Sequence, residues 1–237
     1  MKNRAGVMRN MLLALVGAGF CMIACFLSSA YGEGNVRNGL IQSNWVKMSY
    51  IRFEISLILS SVGIGLMYPG LRDYARAVRM SVKKTHPLDV RMAKIFETGV
   101  AASLISYLFI QSGNIMIAIV YKELFGTNLM GADIISVTEG MFYYIAIPLF
   151  ALLVIGVGFI SISYMFLIYS GCIRVSTLRM FLNPLVFLGL GELMKLVKLH
   201  YISDLSACMI PLGYFLMISS GMTHVAHMPV KKRVRRN

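Results

Sequence analysis

Glu192 and Lys195 stand three residues apart inside an apolar stretch, so they occupy neighbouring positions on one helix surface. Such a pair can neutralise itself, with the Lys195 amine reaching toward a membrane interface. Facing a bundle interior, it can instead bind a solute or relay a proton. Lys198, His200 and Asp204 follow closely and make this the densest ionisable cluster in the chain, with an imidazole that titrates near neutral pH. Gln111 and Asn114 repeat the i, i+3 spacing within another apolar run. Amides in lipid-embedded helices hydrogen-bond a neighbouring helix, each contributing about 0.6 kcal/mol on average, or they contact a ligand. Glu54 and Glu139 fall near the same level as these groups. The candidate substrate-binding set is therefore Glu54, Gln111, Asn114, Glu139, Glu192 and Lys195. Glu97 lies beside Lys94, its simplest partner.

The elements that must position these residues are read from hydropathy. Of the 237 residues, 57% are hydrophobic and 14% charged, against about 25% charged in an ordinary soluble domain. The mean hydropathy is +0.71. Apolar residues gather into runs at approximately 11–31, 51–71, 95–121, 141–171, 178–197 and 205–222, each near the roughly 20 residues that cross a bilayer. The expected fold is an all-α integral membrane protein, one six-transmembrane-helix bundle covering the whole chain. The first run follows Lys2, Arg4 and Arg9 and reads as an uncleaved span; Ser28 and Ala30 give the alternative, the small residues of a signal cleavage site. Trp45, the single tryptophan, and Tyr50 read as interfacial anchors in a polar loop. Pro148 and the Asn183-Pro184 pair predict bends in the fourth and fifth runs. The glycine pairs 63/65, 156/158 and 189/191 permit close helix approach.

Charge sets the orientation. The amino terminus, the basic loop 72–94, the 170–179 connection and the tail at 224–237 carry 17 of the 23 Lys and Arg residues. Arg37, Lys47, Arg52, Lys122, Lys195 and Lys198 fall on the opposite side. This asymmetry predicts a multi-pass plasma-membrane protein with both termini cytoplasmic. Arg72, Arg76, Arg79, Lys83 and Lys84, in the most basic loop, are candidates for contact with anionic lipid headgroups or a partner. Because the cations flank apolar runs, the formal charge of +13 marks topology and not a nucleic-acid footprint.

The chain contains no GxSxG, HExxH, Walker A or dinucleotide fingerprint, which leaves no motif for an enzyme. No cofactor or metal site is expected. The 18 Met residues are scattered fillers. Cys21 and Cys25 share a helix face without forming a CxxC, and His224 and His227 lack further donors beyond Met228. Three functions fit: a membrane component that binds or transports a small solute or ion; an accessory, scaffold or sensor subunit acting through a membrane-protein partner or homo-oligomer; and a lipid-modifying enzyme. A reporter active only in the cytoplasm, fused after Asn237, is expected to be on, and inserted near Asn128 to be off. The reverse pattern overturns the orientation.

Overall fold

Each long apolar run becomes a helix that extends past the run into its polar flanks. The computed structural model describes residues 4–38, 41–82, 86–127, 130–197 and 199–227. Its α-helices are α1 (Arg4–Ser29), α2 (Tyr50–Ser81), α3 (Pro87–Phe125), α4 (Gly131–Met141), α5 (Ile147–Tyr169), α6 (Pro184–Met194), α7 (His200–Leu205) and α8 (Met209–His227). A two-residue hairpin, β1 (Arg37–Asn38) and β2 (Ile41–Gln42), pairs Arg37 with Gln42 and Asn38 with Ile41. A π turn at Phe142–Ala146 joins α4 to α5. It lies immediately before Pro148, where the missing N–H forbids an ordinary helical bond.

Among the described residues, five helical segments are long and apolar enough to cross a membrane: Arg4–Ser29, Tyr50–Ser81, Pro87–Phe125, Gly131–Tyr169 and Tyr201–His227. The fifth expected span, 178–197, contains only the 11 residues of α6, about 16 Å of helix against a hydrocarbon core of about 30 Å. The chain nevertheless travels the length of the bundle between α5 and α8. At one end the Arg174 N–H donates to His224 Nδ1 at 2.9 Å. At the other, Gly191 packs against Ser206 and Met209. A 3-10 turn at Thr177–Phe181 and the short α6 make this return together.

Asn183-Pro184 therefore starts a helix where a bend was expected. Asn183 is fully buried, and its Oδ1 accepts from the Leu185 and Val186 N–H groups at 3.0 and 3.2 Å. Its Nδ2 donates to the Met180 carbonyl at 2.6 Å. An Asn cap followed by Pro at the first helical position satisfies donors that lipid could not. The basic 72–94 region, whose first half the sequence allows to continue as a helix up to a break at His86-Pro87, is helical through Ser81 and again from Pro87. α2 keeps Asp73, Tyr74, Ala75 and Val78 buried along this stretch.

Helices meet where glycine removes the side chain. A Cβ on Gly17 would lie 2.4 Å from the Gly63 carbonyl oxygen, one on Gly63 2.6 Å from the Gly17 oxygen, and one on Gly70 2.4 Å from the Asn10 oxygen. α1 and α2 thus touch backbone to backbone. Gly99 and Gly156 bring α3 to α5, and Gly191 and Gly213 bring α6 to α8, in the same way. Of each glycine pair noted in the sequence, one member lies at a contact; Gly65, Gly158 and Gly189 face open space. Gly63→Ala should cost about 1–3 kcal/mol through overpacking, lowering the Tm of the detergent-solubilised protein by several degrees. Gly65→Ala should leave Tm unchanged or raise it, since alanine favours helix. Equal effects would contradict the close contact.

Candidate functional site

Residues 30–38 and 41–49 fold into a cap over one end of the bundle. Asn44 organises it: its Nδ2 donates to the Tyr31 and Glu33 carbonyls at 2.9 and 3.1 Å, and its own N–H donates to Asn35 Oδ1 at 3.2 Å. Gly32 and Gly34 turn the chain with φ of 77° and 72°, a region other residues rarely adopt. Trp45 is buried beneath this cap, stacked 6.1 Å from Phe142 and edge-on to Tyr31 and Tyr121. It is a core residue of the cap and not the lipid-facing anchor its composition suggested. Lys122 Nζ donates to the Val46 carbonyl at 3.0 Å and to that of Met48, and sits 4.4 Å above the Tyr50 ring. The cap is thereby fastened to the end of α3.

Under the cap lies a cavity of about 80 Å³ lined by Ser28, Ser29, Tyr31, Trp45, Phe53, Gln111, Asn114, Ile115, Ala118 and Ala207. That is room for several waters or one small molecule. Gln111 is buried on its inner wall. Its Nε2 reaches Ser28 Oγ at 3.2 Å and Ser56 Oγ at 3.4 Å, and its Oε1 accepts from Cys25 Sγ at 3.7 Å. Cys25 Sγ and the Tyr107 hydroxyl are 2.9 Å apart. Ser56 Oγ donates to the Ala24 carbonyl at 2.7 Å, and Ser29 Oγ to the Asp204 carbonyl at 3.0 Å. The lining holds no carboxylate, amine or guanidinium, so it can bind by hydrogen bonding and by aromatic contact, without ion pairing.

Of the six sequence candidates, Gln111 and Asn114 line this cavity and the other four do not. Glu54 is exposed on α2, Glu139 is half-buried on α4, and Glu192 and Lys195 are exposed at the end of α6. Glu192 Oε1 and Lys195 Nζ pair with each other at 2.6 Å. Glu97 is held by α2: Arg79 Nη1 lies 2.6 Å from Oε2 and Arg76 Nε 3.3 Å from Oε1, so these two arginines replace the expected Lys94. The Arg72 guanidinium sits 5.7 Å over the Tyr68 ring. Lys83, Lys84, Lys198 and the tail beyond His227 lie outside the described residues, as does the His200 side chain.

Sequence reasoning missed the buried polar groups of the interior. Asn10 Nδ2 donates to Asp73 Oδ2 at 2.6 Å between α1 and α2, and Asp204 is buried beside Gly32. The hydroxyls of Tyr74, Tyr164, Tyr214 and Ser220 and the Nε2 of His224 are buried, and the Tyr74 hydroxyl and His224 Nε2 have no hydrogen-bond partner among the described residues. Leaving such a group unpaired costs about 1–3 kcal/mol. Helical spacing was the available signal. Tyr107, Gln111 and Asn114 lie at i, i+4 and i+7 on one face of α3, as do Tyr214, Gly221 and His224 at i, i+7 and i+10 on α8.

A family model of unknown function, DUF6796, matches residues 1–227. The chain belongs to this family. No curated protein and no solved structure matches the chain. The family description adds no chemistry to the cavity, so its geometry carries the functional argument. Asn44→Ala removes two carbonyl partners of the cap and is expected to destabilise by about 1–3 kcal/mol. Amide hydrogen exchange across 31–46 should accelerate while the interior of α5 stays protected. An unchanged cap would assign its order to the Trp45 cluster alone.

Proposed function

We propose that this family member is a multi-pass plasma-membrane protein that binds, and in its cycle moves, a small uncharged polar solute through the cavity under the cap. The basic end faces the cytoplasm and the cap faces outward, in keeping with the 17-to-6 distribution of cations. The observation that supports the reading is Gln111: a buried amide at the wall of an uncharged cavity, oriented by Ser28, Ser56 and Cys25. A site built from amides, hydroxyls and aromatic rings favours ligands that offer donors and acceptors without charge, because a bare ion there would find no counter-charge. At the basic end, Arg72 contacts anionic headgroups, while Arg76 and Arg79 are engaged by Glu97.

A second reading, an accessory subunit acting through a partner, draws support from the dispersal of Glu54, Glu139 and Glu192. Charged groups gather at the ends of the bundle, and the helices pack tightly at glycine contacts.

Two measurements separate the readings. Asn114→Cys, treated from the cap side with a membrane-impermeant maleimide, should be modified, whereas the native Cys25 should not. Native mass spectrometry of protein extracted from its own membranes should show a retained small molecule that Gln111→Leu releases. An unreactive Asn114→Cys eliminates the cavity as a site. A stoichiometric protein partner with no small molecule establishes the accessory reading.

A further inference from the structure

We infer that Tyr74, Tyr164, Ser220 and His224 form a second, inner solute site, closed in this conformation, which opens to the cytoplasmic side and takes the same class of small uncharged solute. The inference rests on the binding and transport reading above and extends it to the opposite end of the bundle.

The four groups come from α2, α5 and α8 and surround one place. A Cβ on Gly221 would lie 2.8 Å from Tyr74 Cζ, the atom that bears the hydroxyl. Ser220 adjoins Gly221, and His224 lies one turn further along α8. The Tyr74 and His224 rings are 6.4 Å apart, and Phe96 sits between Tyr74 and Tyr164 at 5.7 and 6.1 Å. The Tyr164 hydroxyl neighbours Ser220. All four polar atoms are shut away from solvent; the Tyr74 hydroxyl and His224 Nε2 have no partner among the described residues, and the Tyr164 and Ser220 hydroxyls have only each other. Buried groups so poorly paired are rare in isolation, and four of the five in the described chain lie together here.

Such a cluster disfavours the closed state and favours any conformation in which the groups meet water or a solute. The contacts that close it are few and exchangeable. The Arg174 N–H donates to His224 Nδ1 at 2.9 Å, Arg179 Nη1 donates to Thr223 Oγ1 at 2.5 Å, and Arg4 donates to the Ala226 carbonyl. α8 meets α2 here through the smallest residue, Gly221. Accepting a backbone N–H at Nδ1 leaves His224 neutral, with its proton on Nε2 as a donor toward the cluster. Arg174 and Arg179 stand at the rim and Asp73 is turned to Asn10, so the site itself carries no charge, like the cavity under the cap.

The test is Ser220→Cys in inside-out vesicles, treated with a small water-soluble methanethiosulfonate and read by peptide mass spectrometry. An open state populated at roughly 0.1–10% predicts complete modification, at a rate about 10- to 1000-fold below that of an exposed thiol. Tyr74→Phe, which removes one orphaned hydroxyl, should raise Tm by about 2–4 °C and slow Ser220→Cys modification about fivefold. Acetamide, an uncharged hydrogen-bonding probe, should slow modification where equimolar sodium acetate does not. No modification above that of the native Cys25 overturns the opening, and a Tm lowered by Tyr74→Phe overturns the orphaned cluster. Equal effects of acetamide and acetate overturn the solute class. None of these results bears on labelling of Asn114→Cys from the cap side, which tests the outer cavity separately.

Discussion

Backbone contact between α1 and α2 is the constraint on which the remaining architecture depends. With a carbonyl oxygen where a side chain would stand at Gly17 and Gly63, the two helices approach as closely as helices can. In lipid, where apolar side chains gain little by leaving one apolar solvent for another, close van der Waals packing of this kind supplies much of the association energy. That approach puts Ala24, Cys25 and Ser28 of α1 against Ser56 of α2 and leaves Gln111 of α3 to complete the group. At the other end of the same contact it brings Asn10 to Asp73. The wall of the cap-side cavity and the buried polar pair near the basic end are both consequences of one glycine seam.

Polarity is sorted by charge along the bundle. Ion pairs sit at the ends: Glu97 with Arg76 and Arg79, Glu192 with Lys195. Away from those ends, the polar groups lining the cavity under the cap and its inner wall are hydroxyls, amides and a thiol. A full charge at mid-bilayer costs about 2.5–3.5 kcal/mol or more on insertion scales, whereas an uncharged group costs little once hydrogen-bonded. For helices long and apolar enough to cross a bilayer, uncharged groups are the recognition chemistry that depth favours, and the uncharged cavity lining fits that constraint.

The helical class, the long apolar segments and the i, i+3 amide pair were legible because each is a property of composition or local spacing. The fifth span was not. Its apolar content suits a helix from 178 to 197, but Asn183 and Pro184 are stronger as a helix start than as a kink. Hydropathy averages cannot distinguish a polar residue that bends a helix from one that caps it. The acids are a related case: a similar level along the bundle does not imply a similar direction around it, and Glu54, Glu139 and Glu192 are absent from the cavity lining. Trp45 and Tyr74 were lost because their roles depend on long-range contacts, with Phe142 in one case and with Phe96 and Gly221 in the other.

The half-length α6 connects these observations. A full helix in its place would need no cap at depth. The structure instead places Asn183 beside Ser161 of α5, whose Oγ accepts from the Leu185 N–H at 3.2 Å, and Pro184 against Gly213 of α8. α8 is thus gripped along its cap-side half, by α6 and by α1. Toward the basic end it is held by polar bonds to Arg4, Arg174 and Arg179 and by the Gly221 contact with Tyr74. The opening proposed above is therefore placed on the basic-end half of α8, where exchangeable polar bonds stand beside the Gly221 contact and which carries Ser220 and His224.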